Sequence, residues 1–225
     1  MFRSFVLKAV FGCILLSFVT VPAICHQQRL VVNAGHTVAR ASKNKARKEF
    51  VRYVNSYVNE NRETLQKIKQ RNSAYFKVMD EMFRKYQLPS DLKYLAVVES
   101  ELKSTAVSRV GAVGYWQLMP GTAQELGLKV GPKCDERKHL YKSTRAAAMY
   151  LRDLHKEFGD WLLVLAAYNS GPGPVYKAIR KSGSRDFWKL QAYLPAETRM
   201  HVKNIIATRY FFEGQGNDVA ITMSL

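Results

Sequence analysis

Residues 90–102 read SDLKYLAVVESEL, and residues 104–121 continue as STAVSRVGAVGYWQLMPG. In the first stretch Leu92, Leu95, Ala96, Glu99 and Leu102 recur at three- and four-residue spacing, which is one face of an α-helix. Ser90 stands where an N-cap belongs. That face is apolar except at Glu99. A carboxylate on an apolar stripe loses hydration, which favours its protonated form. A carboxylic acid that keeps its proton near neutral pH is what cleavage of a glycosidic bond requires, because the leaving oxygen departs poorly unless protonated. The same spacing also suits a buried ion pair with arginine or lysine, so position alone leaves both readings open.

The second stretch breaks the helical pattern. Gly111 and Gly114 allow close backbone approach to a ligand. Gln117 offers an amide, and Tyr115, Trp116 and Met119 offer apolar surface, a combination that suits sugars bearing hydroxyl and acetamido groups. A packed loop would have the same composition.

Outward from these stretches, helical spacing dominates from Lys45 on. Phe50, Val54, Tyr57 and Val58 form one stripe. Asn59 to Asn61 breaks it, and Asn61 can cap the next segment, in which Leu65 and Ile68 face inward. Tyr75, Met79, Met82, Phe83 and Tyr86 form a third stripe, stopped at Leu88-Pro89. Ser143 can cap a helix carrying Ala146, Ala147, Tyr150, Leu151, Leu154 and Phe158, which Gly159 ends. Asp160 caps the apolar run Trp161 to Ala167. Residues 168–174 read as a turn, and further helices start near Gly173 and Pro195, the last running to about Phe212. The pattern predicts one mostly α domain over residues 45–213 with little or no strand. Residues 45–88 supply leading helices, 89–213 the core, and 214–225 a frayed tail.

The chain opens with Arg3 and Lys8 ahead of the apolar run Ala9 to Ala23, which is shorter than the ~20 residues of a membrane helix. Residues 1–25 therefore read as a signal peptide or an N-terminal anchor, and residues 26–44 as a flexible tether. Of 225 residues, 35 are Lys or Arg and 18 Asp or Glu, a net charge of +17. Losing residues 1–25 removes two cations and no acid, leaving +15. An exported basic protein meets an anionic membrane surface, polysaccharide or cell wall. Three cysteines exclude a disulfide scaffold. The histidines show no HExxH or Cys/His spacing, so neither a metal site nor a cofactor is expected. No nucleotide-binding glycine pattern occurs, and nucleic acid is not an expected partner.

Four blocks in order carry a resemblance. They are Val98-Glu99-Ser100, then Ser108 to Thr122 (SRVGAVGYWQLMPGT), then Ala166 to Gly171 (AAYNSG), then Leu194 to Val202 (LPAETRMHV). Together they resemble the lytic murein transglycosylases with a soluble-transglycosylase (SLT) catalytic domain, most nearly the membrane-bound D type. Asp135-Glu136-Arg137 and Gly159 to Leu162 are similar to that type as well. The resemblance implies a lysozyme-like fold and an exported enzyme of the periplasm or cell envelope, acting on peptidoglycan glycan strands. It makes Glu99 the single catalytic acid and base. Glu99 would protonate the oxygen between N-acetylmuramic acid and N-acetylglucosamine, the muramoyl acetamido group would stabilise the cation, and Glu99 would then take the C6 hydroxyl proton. The product would carry a 1,6-anhydro end. By the same resemblance Ser100 supports the glutamate, Ser108, Gly114, Gln117 and Met119 line sugar subsites, and Tyr168 and Asn169 contact substrate or the glutamate.

One position departs from the family. The last block usually places tyrosine where this chain has His201. Imidazole can donate a hydrogen bond as a phenol does. As imidazolium it would favour the ionised form of Glu99 and weaken it as an acid. A lysozyme-like hydrolase and a catalytically weak peptidoglycan-binding module are the alternative readings. The carbohydrate-binding repeats that D-type enzymes often carry do not follow the last block.

Overall fold

The computed structural model describes residues 46–214. The signal or anchor expected at 1–25, the tether at 26–44 and the tail beyond Gly214 lie outside the described residues. The chain divides into two units, Met1–Ala46 and Arg47–Leu225, and the description concerns the second. Its regular elements, among the described residues, are α-helices and short 3₁₀ turns, with β-bridges that stay isolated. The mostly α class read from the sequence is the one observed.

Helix α1 spans 46–60 and buries Phe50, Val54 and Val58. Helix α2 (Arg62–Arg71) buries Leu65 and Ile68, and α3 (Ser73–Tyr86) buries Met79, Met82 and Phe83. These are the stripes read from the sequence, and they form one continuous core with the later helices. After a 3₁₀ turn at Ser90–Leu92 comes α4 (Lys93–Ser100), then α5 (Pro120–Glu125) and α6 (Leu140–Phe158). Gly159 ends α6 in the left-handed region at φ 70°, and its N–H donates to the His155 carbonyl. The Asp160 carboxylate accepts from Leu163 N at 3.0 Å and starts α7 (Trp161–Ser170). Every residue of α7 from Leu162 to Ala167 is buried. A helix apolar all round needs neighbours on all sides. Here α6, α8 (Pro172–Ser182) and α10 (Ala196–Glu213) supply them, with short α9 (Phe187–Leu190) beside α8.

Three caps differ from the sequence reading. Asn61 does stand at the start of α2, but its side-chain amide donates back to the Tyr57 carbonyl at 2.8 Å, stapling the end of α1 instead. Ser90 opens the 3₁₀ turn, and no side chain caps α4. Ser143 lies inside α6, buried, and donates to the His139 carbonyl at 2.9 Å. His139 is the cap: its Nδ1 accepts from Lys142 N. A serine satisfied by an i−4 carbonyl sits in a helix interior as readily as at its start. The eighth helix starts at Pro172, one residue before the expected glycine, because proline at the first helical position lacks only an N–H that would be unpaired there anyway.

Between α4 and α5 the chain forms a tight irregular loop, held by antiparallel bridges Val107–Val113 and Val113–Leu118. Gly114 is at φ 84°, and a Cβ there would lie 2.1 Å from the Arg137 carbonyl oxygen. Only glycine meets both demands. Gly114→Ala is expected to lower stability by about 2–3 kcal/mol through strain and this clash; urea unfolding followed by circular dichroism measures it.

Candidate active site

Glu99 stands on the last turn of α4. Immediately after it, Glu101 (φ 53°) and Leu102 (φ 59°) are both left-handed, so the chain turns sharply away from the helix axis. Glu101 leaves the Glu99 face and pairs with Lys103 at 2.6 Å. Ser100 is buried. Its Oγ lies 3.1 Å from the Ala96 carbonyl and 2.8 Å from the Tyr115 carbonyl, and its one proton joins helix and loop.

The partner of Glu99 is His201, 102 residues away on α10. Nε2 of His201 and Oε1 of Glu99 are 2.9 Å apart, with side chains only 11% and 15% exposed. The arginine or lysine partner that the sequence left open is not what the fold supplies. Thr198, one turn earlier on α10, donates to Asn169 Oδ1 at 2.9 Å and ties α10 to the end of α7. Tyr168 is partly buried and donates to the Trp116 carbonyl of the loop at 2.7 Å. Burial pushes its phenol well above the usual range, and the charge of nearby Glu99 adds to this. The group therefore remains a neutral donor.

The loop is pinned from below by Arg137, a residue the sequence reading passed over except as part of the resemblance. Its guanidinium is buried. It meets both carboxylate oxygens of Asp135, Nε to Oδ1 at 2.9 Å and Nη2 to Oδ2 at 2.8 Å. Nη1 donates to the carbonyls of Gly111 at 2.9 Å and Leu118 at 3.0 Å. The two carbonyls come from the middle of the loop and from its end near α5. Arg137 holds the Asp135 carboxyl below the usual carboxylate range, chiefly through these side-chain hydrogen bonds.

Within the loop, Ser108 Oγ accepts from Ala112 N at 2.9 Å and closes the turn around Gly111. Gln117 is left-handed at φ 45°. Its amide nitrogen donates to the carbonyls of Gly114 at 2.9 Å and Ala106 at 3.2 Å, so its carbonyl oxygen is the group left to accept. Met119 is 42% exposed. Of the two readings open for the loop aromatics, packing is the one observed. Trp116 is 0% exposed, packs edge-on to Phe83, and donates to Thr144 Oγ1 at 3.0 Å. Tyr115 is buried as well. Both are core residues, since burial returns more free energy from an indole or phenol ring than exposure beside a polar loop. Gly114, read as a subsite residue, is buried against the Arg137 backbone. The fold thus brings Glu99 and His201 into contact, with Tyr168 close by. Ser108, Gly114 and Gln117 build the adjoining loop, Ser100 ties α4 to it, and Asn169 fixes α7 to α10.

A family profile described as "Transglycosylase SLT domain" matches residues 78–191. The chain belongs to this family, and its fold is the lysozyme-like one that membership implies. It is 42% identical over 129 residues to the membrane-bound lytic murein transglycosylase D of Escherichia coli (strain K12), covering 55% of this chain and 28% of that protein. Over 141 residues it is 32% identical to the soluble lytic murein transglycosylase of Salmonella typhimurium, covering 57% of this chain and 22% of that one. The chain therefore spans little more than a quarter of the length of the first of these relatives and less of the second. Among solved structures it resembles the 70-kDa soluble lytic transglycosylase of Escherichia coli, with TM-score 0.55 and 27% identity over 65% of this chain and 25% of that chain. It also resembles an inactive Glu-to-Gln mutant of lytic transglycosylase Slt from Pseudomonas aeruginosa, with TM-score 0.53 and 27% identity over 60% of this chain and 23% of that chain.

The Arg137 pin gives a pH-dependent prediction. Asp135 has its carboxyl shifted down on folding, so its contribution is present above the unfolded value of about 3.9 and is lost as pH falls through the lower folded value. Asp135→Asn should cost roughly 1–3 kcal/mol at pH 7. The gap to wild type should close as the pH is taken below about 4. Denaturant unfolding at pH 7, 5 and 3 tests the sign.

Proposed function

We propose that this chain is an exported lytic transglycosylase of the cell envelope that cleaves peptidoglycan glycan strands without net hydrolysis. The observation that carries the reading is Glu99. It is a nearly buried carboxyl at the end of α4, joined to His201 and not to a fixed cation, beside a pinned loop with its own polar groups. A carboxyl so placed can exchange one proton with a bound sugar. In the first step Glu99 gives its proton to the oxygen between N-acetylmuramic acid and N-acetylglucosamine, and the C1–O bond breaks. The muramoyl acetamido group shares the positive charge at C1. In the second step ionised Glu99 accepts the proton of the C6 hydroxyl as that oxygen bonds to C1, giving a 1,6-anhydro end. One carboxyl serves both steps, and Glu101, turned to Lys103, takes no part.

Support comes from family membership, from relatives named as murein transglycosylases and from a solved relative that is an inactive Glu-to-Gln mutant. Ser108, Gln117 and Met119 are assigned to sugar contact. Ser100, Gly114, Tyr168 and Asn169 are assigned to holding that surface and Glu99. Export and envelope location rest on the N-terminal sequence and on the relatives' names. No helix among the described residues is long and apolar enough to cross a membrane, so contact with an anionic membrane surface is assigned to the basic charge and to the N-terminal segment.

The test is mass spectrometry of soluble products from purified sacculi. Muropeptides with 1,6-anhydro ends are expected, and Glu99→Gln should lower their release by about 10³-fold or more while the protein stays folded. Reducing ends would make the protein a hydrolase, with water entering the second step. Binding without products, or undiminished release by Glu99→Gln, would overturn the proposal.

A further inference from the structure

His201 has a second ring nitrogen. Nδ1 is buried and has no hydrogen-bond partner, while Nε2 meets Glu99 Oε1 at 2.9 Å. A neutral imidazole carries one N–H and one lone pair, and an imidazolium carries two N–H groups. Were Glu99 to donate to Nε2, the ring hydrogen would sit on Nδ1, as a buried N–H with no acceptor. An imidazolium would bury the same unpaired N–H. Buried N–H groups without acceptors are rarer in folded proteins than under-used acceptors. The surroundings supply no compensating acceptor. The Tyr168 hydroxyl is engaged with the Trp116 carbonyl and Asn169 Oδ1 with the Thr198 hydroxyl, and neither oxygen forms a hydrogen bond with Nδ1. The cations near His201 on α10 are turned elsewhere: Arg199 donates to the Gln191, Ala192 and Leu194 carbonyls, and Lys203 lies over the Tyr53 ring.

We infer that His201 is the positioning residue of Glu99, a neutral imidazole fixed in its Nε2–H tautomer that donates to Oε1 and leaves Oε2 to carry and transfer the proton. This rests on Glu99 being the acid and base proposed above. The requirement at position 201 is then a single hydrogen-bond donor of fixed direction, which a phenol also meets and a titrating base does not. Oε1 is occupied in both protonation states of Glu99, so the carboxyl does not rotate between the two steps.

Two measurements on the full chain test this. Ring ¹⁵N NMR at neutral pH, with the His201 signal assigned by its loss in His201→Gln, reads the tautomer directly. A protonated Nε2 beside an unprotonated Nδ1 is expected; a proton on Nδ1, alone or in an imidazolium, overturns the inference. In sacculus digestion, His201→Phe should lower kcat about 10- to 100-fold with KM within about twofold, the scale of one hydrogen bond to a charged group. His201→Gln, which keeps an N–H donor but cannot titrate, should recover most of that loss with the wild-type pH profile. Wild-type kcat in the Phe variant, no recovery in the Gln variant, or a shifted limb of its pH profile overturns the inference. Thermal unfolding separates a folding defect in the Phe variant from a catalytic one. Absence of product from wild type would instead remove the functional reading, while the ring spectrum still decides the tautomer.

Discussion

The buried guanidinium of Arg137 is the constraint on which the site depends. Four hydrogen bonds leave it: two to Asp135 and one each to the carbonyls of Gly111 and Leu118. An irregular loop has no ladder of its own to satisfy its backbone, and buried carbonyls without donors are costly. Arg137 supplies donors to two points of the loop at once, in the fixed fork that lysine lacks. Asp135 neutralises it, which keeps the buried charge from becoming a penalty. Gly114 then crosses the Arg137 carbonyl with no room for a side chain. Loop and guanidinium are one unit.

That unit is tied to α4 through Ser100, the residue after Glu99, and α10 reaches Glu99 through His201. Ser100 and Tyr168 both spend their hydroxyls on loop carbonyls, at Tyr115 and Trp116. Thr198 and Asn169 join α10 to α7. Each of these groups is neutral, so the pair of Glu99 and His201 is positioned without a fixed ion pair. For the proposed acid-and-base role this matters, because a permanent cation in contact with the carboxyl would favour its ionised form throughout. The central helix α7 makes the arrangement rigid: buried on all sides, it carries Tyr168 and Asn169 at its end and cannot shift without disturbing three neighbours.

Local spacing is enough to read the helices from the sequence. The stripes in α1, α2 and α3, the stop at Gly159 and the cap at Asp160 depend on local spacing and on single residues acting within one turn, and they are as read. Glu99, on which the proposed role rests, stands out in the sequence because a carboxylate on an apolar face is anomalous wherever the face packs. Tertiary structure decided what local chemistry leaves open. Ser90, Asn61 and Ser143 each bond satisfactorily in more than one way, and the surrounding chain chose. Tyr115 and Trp116 suit either a sugar-facing surface or a packed loop and are core, because a ring's burial depends on what folds over it, here α3 and α6. Arg137 gave no local signal, since its partners Gly111 and Leu118 are distant in sequence and are backbone atoms. The contact of His201 with Glu99 spans 102 residues, and its donor direction follows from a buried Nδ1 without a hydrogen-bond partner, a setting that only the packed helices create.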